Sequence, residues 1–87
     1  GATAVALNLT ATGASAVTYV SACPGGTPTS TCRLTSAFNP TPAADTSNNA
    51  LLQLGGPNHD QVLLYNNAGS LSLFADVLGY FVPPLRS

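Results

Sequence analysis

The residues able to do chemistry in this chain are few. Five side chains are charged, Arg33, Asp45, Asp60, Asp76 and Arg86, and His59 is the single histidine. Asp76 has Phe74 and Leu78 at i±2, so strand alternation places it on a face with apolar groups. A carboxylate buried there must be hydrogen-bonded or paired. The expectation is a structural buried polar set of Asp76 with Asn8, Arg33 or backbone amides. The chemical alternative is a metal ligand or a catalytic acid. One carboxylate without a second at defined separation cannot run glycoside hydrolysis.

His59 and Asp60 follow Asn58 in a loop. The inventory contains Ser, His and Asp, but no nucleophile elbow accompanies them. Side chains of adjacent His and Asp diverge, so an exposed turn is the expectation. Asp45 and Asp60 lack the spaced acidic pattern of a calcium loop. With one histidine and no CxxC, the chain is expected to hold no metal and no cofactor. Tyr19, Tyr65 and Tyr80 are the candidate sugar-stacking rings, and there is no tryptophan. Tyr65 with Asn66 and Asn67 is the best candidate glycan contact, because flat rings beside amides suit sugars. The competing reading is that Tyr65 and Tyr80 cover a sheet while their hydroxyls reach solvent. Asn8-Leu9-Thr10 matches a glycosylation sequon but falls within an expected strand.

Cys23 and Cys32 flank a stretch rich in turn residues. In a small β-rich chain this predicts a hairpin-closing disulfide, with free thiols as the alternative. A disulfide implies an oxidising compartment, so the expected location is secreted or cell-surface. Gly1-Ala2-Thr3 would suit the residues after a removed signal.

The elements that must position these groups are strands. Val5, Leu7 and Leu9 alternate with Ala4, Ala6, Asn8 and Thr10, the pattern of a half-buried strand. Ala16–Ser21 is β-branched and aromatic and predicts a second strand. Cys23-Pro24-Gly25-Gly26-Thr27-Pro28 is expected to be irregular. A third strand is expected over 33–38, pinned beside the second by the disulfide. Asn39-Pro40-Thr41-Pro42-Ala43-Ala44-Asp45 predicts an ordered surface connection, extended or polyproline in geometry, that crosses between sheets. Further strands are expected over 49–54, 61–65 and 70–81, with Asn66-Asn67-Ala68-Gly69 as a hairpin turn. Gly79 marks an expected bulge or bend in the last strand. Pro83 and Pro84 end the regular structure, leaving a tail within 82–87. No segment shows helical spacing. The expected fold is all-β: one domain over 1–87, a small antiparallel β-sandwich or partly open barrel of about six or seven strands.

Composition excludes several partners. The 87 residues include only two Lys plus Arg, and the net charge is -1. Nucleic acid and anionic membranes both require clustered cations, so neither is expected as a partner. No apolar run approaches the roughly 20 residues of a membrane helix, so no membrane insertion is expected. The 6% of charged residues leaves little for catalysis and weakens the repulsion that keeps copies apart.

Four segments carry a family resemblance: Ala6-Leu7-Asn8-Leu9-Thr10-Ala11-Thr12, Pro24-Gly25-Gly26-Thr27-Pro28, Val62-Leu63-Leu64-Tyr65-Asn66-Asn67-Ala68-Gly69, and Ala75-Asp76-Val77-Leu78-Gly79-Tyr80-Phe81. Together they resemble a module of secreted actinobacterial proteins that ends in a DVxGYF pattern. The resemblance implies a β-rich extracellular unit, often repeated, that accompanies peptidoglycan amidases and other surface proteins. Two departures stand out. The family's leading LDTR-like segment is absent, and the cysteine pair is additional. Without the leading segment an open sheet edge is expected, either in a piece of a longer protein or in one covered by another chain.

Two functions are expected. The first is a non-catalytic structural module that self-associates through sheet edges into an oligomer or surface fibre, sharing the apolar faces of Leu51-Leu52 and Leu71-Ser72-Leu73. The second is a module that binds cell-wall or other glycans. A hydrolase would need a cleft with convergent titratable groups, which this inventory hardly supplies. The chain is therefore expected not to be an enzyme.

Overall fold

The structure is a computed structural model and describes residues 1–82. Its elements run β1 (Ala4–Thr12), β2 (Val20–Pro24), α1 (Thr29–Cys32), β3 (Thr46–Gln53), β4 (Val62–Asn66) and β5 (Ser72–Phe81). A three-stranded antiparallel sheet has the order β3-β1-β5, and β2 pairs with β4 in a second antiparallel sheet. The fold is all-β, as expected, and the sheets do not close into a barrel.

β1 is central because its alternation is the cleanest. Val5, Leu7, Leu9 and Ala11 are buried on one face, while Ala4, Ala6, Asn8 and Thr10 are half-buried on the other. Burying each large aliphatic side chain is worth about 1.5–3 kcal/mol. The second sheet lies over this face: Val20 and Phe38 complete the core, with Ala22, Val62 and Leu64 packed against it. β2 approaches β3 across the layer. Beyond Leu73, which packs on the core, β5 gains no comparable cover among the described residues, and its apolar side chains from Phe74 to Phe81 stay at the surface.

The opposite face of β2 is closed by the disulfide loop. The Cys23–Cys32 bond forms with a Cα–Cα distance of 6.0 Å. Ser21 is fully buried, and its hydroxyl donates to Thr35 O at 2.5 Å. The Thr35 hydroxyl donates to Cys32 O at 2.9 Å. A small domain gains a covered strand this way without a larger core.

Several expectations need correction. Five strands form among the described residues, not six or seven. The expected strand over 33–38 is absent. Thr29–Cys32 forms one helical turn, Arg33 caps it, and only Phe38 makes a single bridge, to Val20. Cys32 therefore leaves a helical turn, and the disulfide does not close a hairpin. The second strand begins later, at Val20, and includes Cys23 and Pro24, both expected to be irregular; Pro24 is tolerated because β2 is an edge strand, paired with β4 alone among the described strands. The segment Asn66–Gly69 turns the chain, with Gly69 at φ 66, but does not form a hairpin. β4 and β5 belong to different sheets, so this turn steps between layers. The reason is packing: β5 pairs with the long central β1, while β4 completes β2.

Other expectations hold. The connection from Asn39 crosses from beside β2 to β3 in the other sheet as expected, but it is not wholly at the surface: Pro40 is buried, and its carbonyl accepts from Thr18 N. The register along β5 shifts between Ala6 and Leu7 of β1, which face Gly79 and Val77. Leu78 is the extra residue of a β-bulge beside Gly79. The tail expected from Pro83 onward lies outside the described residues.

Candidate functional site

The structure disperses the residues expected to be buried together. Asp76 lies opposite Asn8 on β1, and Asn8 lies opposite Asn49 on β3. They form a polar row across the outer face of the sheet. Among the described residues that face carries no second layer, so Asp76 is exposed and Asn8 half-buried. Arg33 is exposed at the end of α1, in a different part of the molecule. The expectation of a buried Asp76–Asn8–Arg33 set is therefore wrong. Alternation correctly placed Asp76 with Phe74, but no described residue covers the face they share.

The Tyr65, Asn66 and Asn67 group is also divided. The side chain of Asn66 is used internally: its Oδ1 accepts from Thr18 Oγ1 at 2.8 Å and its Nδ2 donates to Gly69 O at 3.1 Å. Thr18 Oγ1 in turn accepts from Ala68 N at 2.9 Å. Asn66 thus locks the step between layers. Asn67 is exposed. The Tyr65 ring packs against Tyr19, with centroids 6.4 Å apart and planes tilted by 49°.

The Tyr19 side of this pair faces a shallow depression of about 390 Å³ that includes Arg33, Ser36 and Asn39. The Tyr19 hydroxyl donates to Arg33 O at 2.8 Å, which fixes the ring. Ser36 and Asn39 are joined by a hydrogen bond of 3.3 Å. The depression thus brings together an anchored ring, an amide, a hydroxyl and a guanidinium. Sequence reasoning missed Arg33 and Asn39 because the depression depends on the helical turn at Thr29–Cys32.

A larger groove, about 470 Å³, runs between the disulfide loop and β3. Thr27, Thr31, Thr35, Ser36 and Asn49 supply its polar groups. Neither depression is lined by a carboxylate or a histidine. His59 and Asp60 sit in an exposed turn, where His59 has a positive φ of 53°. Among the described residues no three His, Cys, Asp or Glu side chains gather as a metal site, and no helix is long and apolar enough to cross a membrane.

The most unusual surface is β5. It is an edge strand, so one side of its backbone is unpaired among the described residues. Pairing with β1 sorts its side chains by face. Phe74, Asp76, Gly79 and Phe81 lie with the outer residues of β1, and Ala75, Val77 and Tyr80 with the core residues. Both faces are open: Val77 is 65% and Tyr80 70% exposed on the core side, Phe74 56% and Phe81 52% on the outer side. Leu78 and Val82 are also exposed. Five large apolar side chains of one edge strand, Phe74, Val77, Leu78, Tyr80 and Phe81, are thus exposed. The expected shared faces are elsewhere: Leu52, Leu71 and Leu73 pack on the chain's own core, and only Leu51 is exposed. The signal for β5 was the nearly unbroken apolar run Val77–Val82, which reads as a strand covered on both faces.

Comparison with known proteins finds no family model that matches the chain, no similar curated protein and no similar solved structure.

Proposed function

We propose that this chain is a non-catalytic, extracellular structural module that associates with copies of itself through β5. The observation that carries the reading is a mismatch between sequence and cover. β5 has the composition of a strand enclosed on both faces, yet it lies at an edge with both faces open. Backbone pairing and apolar burial are then available together to a second strand. The net charge of -1 offers little repulsion against association. The disulfide supports an extracellular location. The resemblance to the actinobacterial surface module fits the same reading.

Sedimentation of the purified protein over a range of concentrations tests it. The natural chain is expected to shift from monomer to larger species as concentration rises. The V77K/Y80K double variant is expected to stay folded and monomeric, because both side chains are already exposed. A strictly monomeric natural chain at high concentration overturns the proposal.

A second reading, binding to cell-wall glycan, is favoured by the Tyr19, Arg33, Ser36 and Asn39 depression. Retention on peptidoglycan is the measurement. Y19A and R33A are expected to lose retention, whereas N67A on the neighbouring turn is expected to keep it.

A further inference from the structure

Resting on the self-association reading, we infer that β5 pairs antiparallel with β5 of a second copy about a two-fold axis. In this pair Phe74 lies opposite Phe81 of the second copy, Ala75 opposite Tyr80, Asp76 opposite Gly79 and Val77 opposite Leu78.

The bulge dictates this register. Before it, even-numbered residues of β5 share the outer face of the sheet; after it, odd-numbered residues do. The two halves of the strand are therefore of opposite parity. An antiparallel pair that joins one half to the other matches outer with outer and core-side with core-side across 74–81. A dyad centred on Asp76, or a slip of one residue, puts outer side chains against core-side ones. A bulge twists the edge and blunts it against pairings that ignore it. Placing the two bulges side by side at the dyad accommodates both.

Charge and size agree with the same register. Asp76 is the only charged residue of β5. Like charges directly opposite each other are destabilising, and here each Asp76 faces a glycine. Gly79 is otherwise unexplained. Its backbone has no positive φ, and a Cβ there would meet nothing within 4 Å. The single chain does not require glycine at this position. A second copy does, because the glycine leaves room for the facing carboxylate.

The partner strand is β5 and not the free edge of β3. β3 presents exposed Ser47, Asn48, Asn49 and Gln53, with Leu51 as its one large exposed apolar residue. Of the two edges of this sheet, β5 is the one whose described residues offer exposed apolar side chains on both faces. The pair joins two three-stranded sheets into one, ordered β3-β1-β5-β5-β1-β3. It buries Phe74, Val77, Leu78, Tyr80 and Phe81 from each copy, and the contact is isologous and closed.

Cysteine cross-linking tests the register separately from association. D76C and G79C are made as single variants with the native disulfide intact, mixed, and oxidised mildly; sedimentation of the natural chain is run alongside. Opposed residues lie within disulfide reach, whereas Asp76 and its own copy are three positions apart, about 10 Å along the strand and beyond it. The mixture is expected to give at least about tenfold more cross-linked dimer than either variant alone. Equal cross-linking by D76C alone, or association without cross-linking in the mixture, overturns the register and leaves self-association standing. A chain that stays monomeric in sedimentation overturns both.

Discussion

Cys23 and Cys32 show how one covalent bond substitutes for core in a chain this small. Cys32 is fully buried and Cys23 nearly so, and the loop they close covers the outside of β2. Closing a loop of about ten residues is worth roughly 2.5–3 kcal/mol through the unfolded state. A domain of this size has only about 5–10 kcal/mol to lose. C23A/C32A is expected to lower the urea midpoint by a corresponding amount. Its circular dichroism should remain that of a strand-rich protein, because the pairing of β1 with β3 and β5 does not pass through the disulfide loop. Loss of all strand signal in that variant would mean that the bond organises the whole fold and not one layer.

At the scale of elements, the loops after β2 and β3 are tied by backbone alone. Gly25 N and Gly55 N both donate to Gln61 O, at 2.8 and 2.9 Å, and Gly56 N donates to Gly25 O at 2.8 Å. A Cβ at Gly55 would strike the backbone of Gly25, and neither side can move away. G55A is therefore expected to cost about 1–3 kcal/mol, as overpacking does. G79A, measured in dilute solution where chains are single, is expected to change stability by less than about 0.5 kcal/mol. Urea unfolding of the two variants checks the contrast. The sequence does not tell these two glycines apart, because the distinction depends on which loops meet. The same limit governed the rest of the fold. Period-two alternation placed β1, whose one buried face imposes it, and strand-like composition placed β3, β4 and β5 within a few residues. It failed at 33–38, where a disulfide and a proline-led helical turn override β-branched content. It also failed at Asn66–Gly69, where turn chemistry was read correctly but the partner strand was not. Asp76 was placed on the right face and wrongly buried, because alternation says which residues share a face and not whether anything covers it.

The whole molecule is flat and elongated, with extents of 53 × 26 × 16 Å. A two-stranded layer covers part of a three-stranded one, and the uncovered remainder is β5. What drives association there decides how it responds to conditions. Charge attraction would weaken as salt screens it, over a Debye length that falls from about 10 Å at 0.1 M to about 3 Å at 1 M. Apolar burial with backbone pairing has no such dependence, and sulfate strengthens it by exclusion from the surface. With one carboxylate on β5 and a net charge of -1, the second regime applies. The dimer constant, read by sedimentation, is expected to stay level or tighten between about 0.1 and 1 M salt. Heats of dilution at several temperatures are expected to give a negative heat-capacity change on association. A constant that weakens tenfold with salt would instead assign the contact to Arg33 and the scattered aspartates, leaving the apolar faces of β5 without a role in it.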